Sequence, residues 1–305
     1  MASSDRALPT KDFLRTRVLS SIITRVKAYW ALIKSLQAGL LLFTSLAGYL
    51  SAVPRPIDWA EAGALAASVF LTVAGSTALN MVYDRDIDGI MQRTANRPLP
   101  AGVIGWKEAL VYGALLSIAG IAWASWLDPL YGLIVFGGLL IDVVIYTMWL
   151  KRRTAWSVVW GGLAGGMPVL AGRVLAVGQI DLIGLMLALA VLLWIPTHIM
   201  TFAIKHAQDY KRAEVPVFPN IFGEETTRRI IAVSTVLAAV IISISAWQIG
   251  LPFGWLHSTV ALGAILIGLA LAATVFPSSK LNFALFKFAS VYMLTAMCLL
   301  VLGAS

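Results

Sequence analysis

The chain has 305 residues, of which 59% are hydrophobic and only 12% charged, and a formal net charge of +8. A water-soluble domain carries roughly 25% charged residues, so this composition excludes a soluble globular protein and points to a polytopic protein of the lipid bilayer. The basic surplus would suit nucleic acid, but its distribution along the chain follows membrane topology and gives nucleic-acid binding no support.

Residues 1–28 are polar and basic but include Asp5 and Asp12. They lack the apolar core and cleavage site of a signal peptide, and a transit peptide is poor in acids. We read them as a cytoplasmic tail preceding a single transmembrane domain, 29–305. An apolar run of about 20 residues crosses the hydrocarbon layer as a helix. By that measure the sequence predicts an all-α fold of nine spans, at 29–52, 60–83, 108–126, 131–150, 157–176, 182–204, 230–249, 255–276 and 283–303, packed around a central cavity. Turn-forming residues separate several of them: Pro54 and Pro56, Asp128-Pro129, Gly178 to Asp181, Gly250 to Pro252, and Pro277 to Ser279. The lone Cys298 lies in an apolar run, so there is no disulfide framework.

Lysine and arginine concentrate on alternate connections. They fill the tail (Arg6, Lys11, Arg15, Arg17, Arg25, Lys27) and the loops at about 84–107 and 205–229. Others mark the turn at Lys151-Arg152-Arg153 and the entry to the last span at Lys280 and Lys287. The opposite connections hold only Arg55. By the positive-inside rule the N-terminus and both long loops are cytoplasmic and the C-terminus is outside, in the cell membrane. The two long loops exceed ordinary bundle connections, and both start from polar residues at the end of a span.

The first of these carries the richest chemistry. Asn80, Asp84 and Asp88 recur every four residues, so a helix stacks them on one face. Three oxygen-bearing side chains suit a hard cation such as Mg²⁺, commonly shared with a phosphate. Arg93 and Arg97, also four apart, can hold that phosphate by bidentate hydrogen bonds. The plainer alternative is a solvated helix end, against which stands the cost of like charges at i,i+4 with nothing cationic between them.

The second loop opens with Lys205 and Asp209, again four apart. Asp209 can serve a second cation, while Lys205 and Lys211 can contact diphosphate oxygens; the alternative is a surface ion pair of modest energy. His198, beside Pro196 and roughly two turns inside the membrane end of its span, is an intramembrane ionisable group and so a functional candidate, able to meet an iron porphyrin. His206 and His257 read as ordinary. Asp142 and Arg173 are further intramembrane charges that either pair with other polar groups or line the cavity. Lys34 either snorkels to the interface or contacts diphosphate.

Four stretches, in order, resemble the UbiA-type intramembrane prenyltransferases, and within them the branch that farnesylates protohaem IX. They are Asn80 to Pro98, with its DxDxDxxMxRT pattern; Tyr146 to Thr154 followed by Gly161 to Pro168; Trp194-x-Pro196-x-His198; and Lys205-x₃-Asp209-Tyr210 through Pro219. The first motif speaks for prenyl transfer in general, and the histidine of the third for the haem branch. Departures occur at Val169 and Arg173, where the family has proline and tryptophan, and at Lys34-Ser35-Leu36, where Lys-Pro-Arg is usual; these bear on the acceptor and leave the acids untouched.

The resemblance implies transfer of a farnesyl or longer prenyl group from its diphosphate to a vinyl group of haem B. It implies Mg²⁺ held by Asn80, Asp84, Asp88 and Asp209, with Asp84, Asp88, Asp209 and Arg97 as the catalytic group. Asn80, Arg93, Arg97, Lys205, Lys211 and Lys34 would hold diphosphate, and His198 the haem. It further implies association with a haem A synthase. Two alternatives remain: a UbiA-type enzyme acting on another acceptor, such as a hydroxybenzoate quinone precursor or a glycerol-phosphate lipid, and a transporter, which would place acids on both membrane faces.

Overall fold

The computed structural model describes residues 23–52 and 56–304. Among these all regular structure is helical, and eight helices are long and apolar enough to cross a membrane, or nine when one bent pair is taken as a span. The basic residues of 1–22 and Arg55, which entered the topology argument, lie outside the described residues.

The bent pair is the first span. Where the sequence predicts one helix over 29–52, the chain forms α1 (Ile23–Leu32) and α2 (Ser35–Leu50), bent by 46°. Helix therefore begins inside the stretch read as tail. The break is made at Lys34, whose backbone is left-handed (φ 44, ψ 57), a conformation that costs a side-chain-bearing residue roughly 1–2 kcal/mol. One carbonyl freed by the break is satisfied: the Thr77 hydroxyl donates to the Leu32 oxygen at 3.1 Å.

The second span, α3, runs Trp59–Ile90, about two turns further than the apolar ruler allows. Asp58 caps its start, accepting from the amides of Ala60 and Glu61. The acids of the first motif thus lie on a continuous helix and not in a loop that starts at residue 84. Polar residues ended the sequence-based span early, but their partners on neighbouring elements keep the helix intact.

The next spans are α4 (Trp106–Leu127) and α5 (Pro129–Leu139), which passes into an eleven-residue π-helical segment, Leu140–Leu150. Its i→i+5 bonding continues to the Lys151 amide, which donates to the Tyr146 carbonyl at 2.8 Å. A π-helix of this length is rare, and such segments cluster at functional sites. Then come α6 (Ser157–Val177) and α7 (Leu182–Lys205). Two short helices, α8 (Ala207–Arg212) and α9 (Phe218–Phe222), replace the irregular loop expected after residue 205, and α10 begins at Glu224, inside that same expected loop. The chain ends with α10 (Glu224–Ile249), α11 (Phe253–Val275) and α12 (Ser279–Gly303).

Small residues bring helices into backbone contact. A Cβ on Gly172 would lie 1.9 Å from the Ser45 carbonyl oxygen, and one on Gly48 would lie 2.2 Å from that of Val169. Only glycine lets α2 and α6 cross so closely, the packing solution expected where lipid supplies no hydrophobic drive between helices. Arg173, on this crossing, is buried and bound through Nε and Nη2 to Asp181, the residue that also caps α7 through the Gly184 amide. Its intramembrane charge is therefore a structural tie at the end of α6.

Candidate active site

The ends of α3, the π segment and α7 lie at the same end of the bundle as the start of α12. Asp84 and Asp88, one turn apart on α3, are both buried. Lys151, at the foot of the π segment, forms an ion pair with Asp84 Oδ2. Arg97 Nη1 donates to Asp88 Oδ2 at 2.7 Å. Arg152 grips Asp86 with both terminal nitrogens (2.7 and 2.6 Å) and donates to the Tyr83 carbonyl. The like-charge stack that would unsettle an isolated helix is thus offset by cations from two other segments. Burial opposes the charge on Lys151, but Tyr146 and Asp84 outweigh it and hold its pKa above the ordinary lysine range. Lys34, aimed by the α1–α2 break, lies within electrostatic reach of Arg97, Lys151, Asp142 and Asp84.

Asn80 is held at both ends of its amide. Its nitrogen donates to Asp142 Oδ2 at 2.8 Å, and its oxygen accepts from the Thr147 hydroxyl at 3.0 Å. Ser76 donates to the same Asp142 oxygen. The intramembrane Asp142 is therefore a fixed partner of the first motif. The amide oxygen of Asn80 retains its second lone pair.

Asp84 provides the test of whether a cation fits. Its Oδ1 is buried with no hydrogen-bond partner, and Arg152 Nη2 stands 4.0 Å from it. A buried carboxylate oxygen left unmatched is costly, and a hard cation would satisfy it with the ligand chemistry that Mg²⁺ prefers. Among the described residues no three His, Cys, Asp or Glu side chains converge on one ion position. Asp209 accordingly does not join Asp84 and Asp88 around a single ion. It is buried on α8, with Arg212 Nη1 at 3.7 Å.

The two motifs still meet. Ile87 and Met91 pack with Ala213 and Val215, and with Tyr210 and Val217 alongside. Arg93 crosses between them: it donates to the Tyr210 hydroxyl at 3.2 Å and lies over the rings of Phe202 (5.2 Å) and Tyr210 (5.3 Å). His206 has its pKa lowered below the ordinary histidine range by partial burial, with Arg93 and Lys205 adding to the effect. Lys205 is turned elsewhere, with Nζ 5.1 Å from the Phe283 ring centre. Lys211 is exposed.

His198 stands between the Trp194 ring (5.2 Å) and the Phe286 ring (4.6 Å), nearly parallel to both, with Nδ1 at 3.1 Å from the Ser290 hydroxyl. A run of rings on α7 and α12 therefore extends from His198 through Phe286 to Phe202, on which Arg93 rests.

Sequence reading passed over Lys151, Arg152, Thr147 and Ser76 as site residues. The available signal is the basic triplet Lys151-Arg152-Arg153 at the foot of a span, which entered the topology and the family resemblance but not the set of site residues.

The comparisons accord with this geometry. The model of the UbiA prenyltransferase family matches residues 41–291. This chain belongs to that family. It is 41% identical over 244 residues to the protoheme IX farnesyltransferase of Pyrobaculum islandicum, covering 80% of this chain and 83% of the relative. It is 36% identical over 272 residues to the protein of that name from Desulforudis audaxviator, covering 88% and 85%. Among solved structures, a digeranylgeranylglyceryl phosphate synthase superposes with a TM-score of 0.77 at 20% identity, over 92% of this chain and 98% of the other. A UbiA homologue from Archaeoglobus fulgidus bound to GPP and Mg²⁺ gives 0.68 at 17% identity, over 90% and 99%. These structures establish the fold: an all-helical UbiA bundle.

Proposed function

We propose that this enzyme transfers a farnesyl or longer prenyl group from its diphosphate to a vinyl group of haem B, with Mg²⁺ as cofactor. The observation that carries the reaction class is Asp84: buried, with one oxygen unmatched, flanked by Lys151 and Arg152, and one turn from Asp88 with its Arg97, at one end of an apolar bundle. That is a site built for divalent cation and diphosphate together. The acceptor rests on the relatives named protoheme IX farnesyltransferase, and the His198 ring stack supports it.

Asn80, Asp84 and Asp88 would hold one Mg²⁺ and Asp209 would serve a second. The bound metal supplies charge stabilisation to the leaving diphosphate. Arg97, Arg93, Lys151 and Lys34 add fixed positive charge where negative charge grows as the allylic C–O bond breaks, the largest kind of catalytic contribution in such sites. The apolar helix walls keep water from the allylic cation. The vinyl group attacks it, water adds to the resulting cation, and its proton passes to solvent or diphosphate, giving the hydroxyethylfarnesyl product.

The active-site end would face the cytoplasm of the cell membrane, as the basic residues at this end support, and product would pass to a haem A synthase. The test is direct: purified enzyme in bilayer discs with haem B, labelled farnesyl diphosphate and Mg²⁺ transfers label to the porphyrin, and omission of Mg²⁺ stops it. Label on a hydroxybenzoate or glycerol-phosphate acceptor, with none on haem, would overturn the acceptor assignment.

A further inference from the structure

Lys205 and Lys287 come from different helices, α7 and α12, yet place their ammonium groups over one ring, Phe283, at 5.1 and 4.7 Å. Two like charges gathered around one aromatic ring repel each other, and cation–π attraction at an exposed site offsets little of that. Neither lysine has an acidic partner among the described residues, in contrast to Lys151, Arg97 and Arg152, each bound to an acid of the first motif. The pair therefore forms a cationic mouth that lacks its anion. Below it the lining is aromatic: Phe283 and Phe286 lie nearly parallel at 6.5 Å, and Phe286 stacks on His198. Phe202 joins this stack to Arg93 and so to the diphosphate side.

Charge at one edge and flat apolar walls beneath describe the complement of a planar aromatic dianion. We propose that the porphyrin seats here, along the exposed edge where α7 meets α12, with its two propionates on Lys205 and Lys287, its macrocycle against Phe283 and Phe286, and His198 at its inner edge. The inference rests on the haem reading and gives that substrate a place and an orientation. A haem carries its carboxylates on one edge and its vinyl groups away from them, so anchoring the propionates at the mouth turns the vinyls into the bundle. His198 lies seven residues before Lys205 on the same helix, roughly 10 Å deeper at 1.5 Å per residue, comparable to the distance of a porphyrin's centre below its carboxylates. Lys205 thus leaves the diphosphate set and joins the acceptor set.

The experiment is a Soret titration of the purified enzyme in zwitterionic bilayer discs with haem B and with its propionate dimethyl ester. Both lysines are exposed, so Lys205→Gln/Lys287→Gln should fold as the parent does, and single Lys287→Gln provides a milder check. We expect the double variant to raise the haem Kd about tenfold, through loss of charge-assisted hydrogen bonds, while the KM for farnesyl diphosphate stays put. The dimethyl ester should bind equally weakly to parent and variant. An unchanged haem Kd in the double variant, or a raised farnesyl diphosphate KM in its place, would overturn the proposal. So would an effect seen only when anionic phospholipid is added, which would assign the lysines to lipid phosphate. If the parent binds haem in a lysine-dependent way but never prenylates it, the porphyrin seat stands and the haem-transfer reading fails.

Discussion

The two polar motifs at the active end of the bundle share an i,i+4 spacing of charged residues but are differently built. In the first, each acid of α3 is tied to a cation from another segment: Asp84 to Lys151, Asp86 to Arg152 and Asp88 to Arg97. Asn80 is fixed between Asp142 and Thr147. In the second, among the described residues, Asp209 is ion-paired only with its near neighbour Arg212 at 3.7 Å, and Lys205 and Lys211 are exposed. The first is held in shape before any ligand arrives, as electrostatic catalysis requires. The second has fewer such ties across the bundle. The difference shows that an i,i+4 spacing of charges says which residues can share a face, whereas cross-helix partners decide whether that face is rigid.

Substitution at Asp84 should discriminate most strongly between the two. Asp84→Asn keeps the side-chain volume but removes the anionic ligand and leaves Lys151 without its counter-charge. Prenyl transfer should fall by about 10²–10³-fold in kcat, measured as label reaching the porphyrin, with the thermal midpoint lowered as well, because a half-buried ammonium loses its partner. Asp209→Asn should cost less, about a hundredfold in kcat, and leave the thermal midpoint nearly unchanged, since its one ion pair among the described residues is long and local. Equal thermal losses in both variants would break the contrast between a rigid and a loose motif.

Arg93, which joins the two, offers an intermediate effect. Its planar guanidinium lies over Phe202 and Tyr210, so Arg93→Lys retains charge but loses the stacking geometry that a compact ammonium cannot supply. The KM for prenyl diphosphate should rise about tenfold in Arg93→Lys, a loss of roughly 1.4 kcal/mol of binding. A lysine variant with parental kinetics would show that charge alone matters there.

His198 sharpens the acceptor side. His198→Ala should remove or shift the Soret band of bound haem while leaving Mg²⁺-dependent binding of prenyl diphosphate intact. A simultaneous loss of both would mean that the ring stack supports the whole end of the bundle and not the porphyrin alone.

The sequence conveys a good part of this. Apolar runs of bilayer length locate the spans, since hydropathy reports burial in lipid directly, and the spacing of Asn80, Asp84 and Asp88 identifies a shared face because helical periodicity is local. What it does not convey is set by long-range partners. Helix α3 outlasts its apolar run because Lys151, Arg152 and Arg97 neutralise acids that would otherwise end it. Nothing in Leu140–Leu150 distinguishes π from α winding, as both use the same residue types. The Asn80–Asp142 and Asp84–Lys151 contacts each join residues more than sixty positions apart, beyond any local pattern. Lys205 was assigned to diphosphate from its spacing to Asp209, but α12 supplies the ring that turns it away.

The smallest effect tests the break in the first span. Lys34 adopts a left-handed backbone that proteins usually give to glycine, so the break stores strain at the site where its ammonium reaches Arg97, Lys151 and the acids. Such strain persists where function repays it. Lys34→Gly relieves the steric cost but gives the unfolded chain more freedom, so the net gain should be about 1 kcal/mol or less, seen as a slightly higher thermal midpoint. The same variant should raise the KM for prenyl diphosphate several-fold, because a cation has left the diphosphate's surroundings. Lys34→Ala separates the two effects: it loses the charge but keeps the strain, so it should match the glycine variant in KM and fall below it in thermal midpoint. If alanine proved the more stable, the break would carry no strain, and the left-handed turn would be only the route by which α1 reaches α4, where Arg25 and Tyr29 meet Glu108.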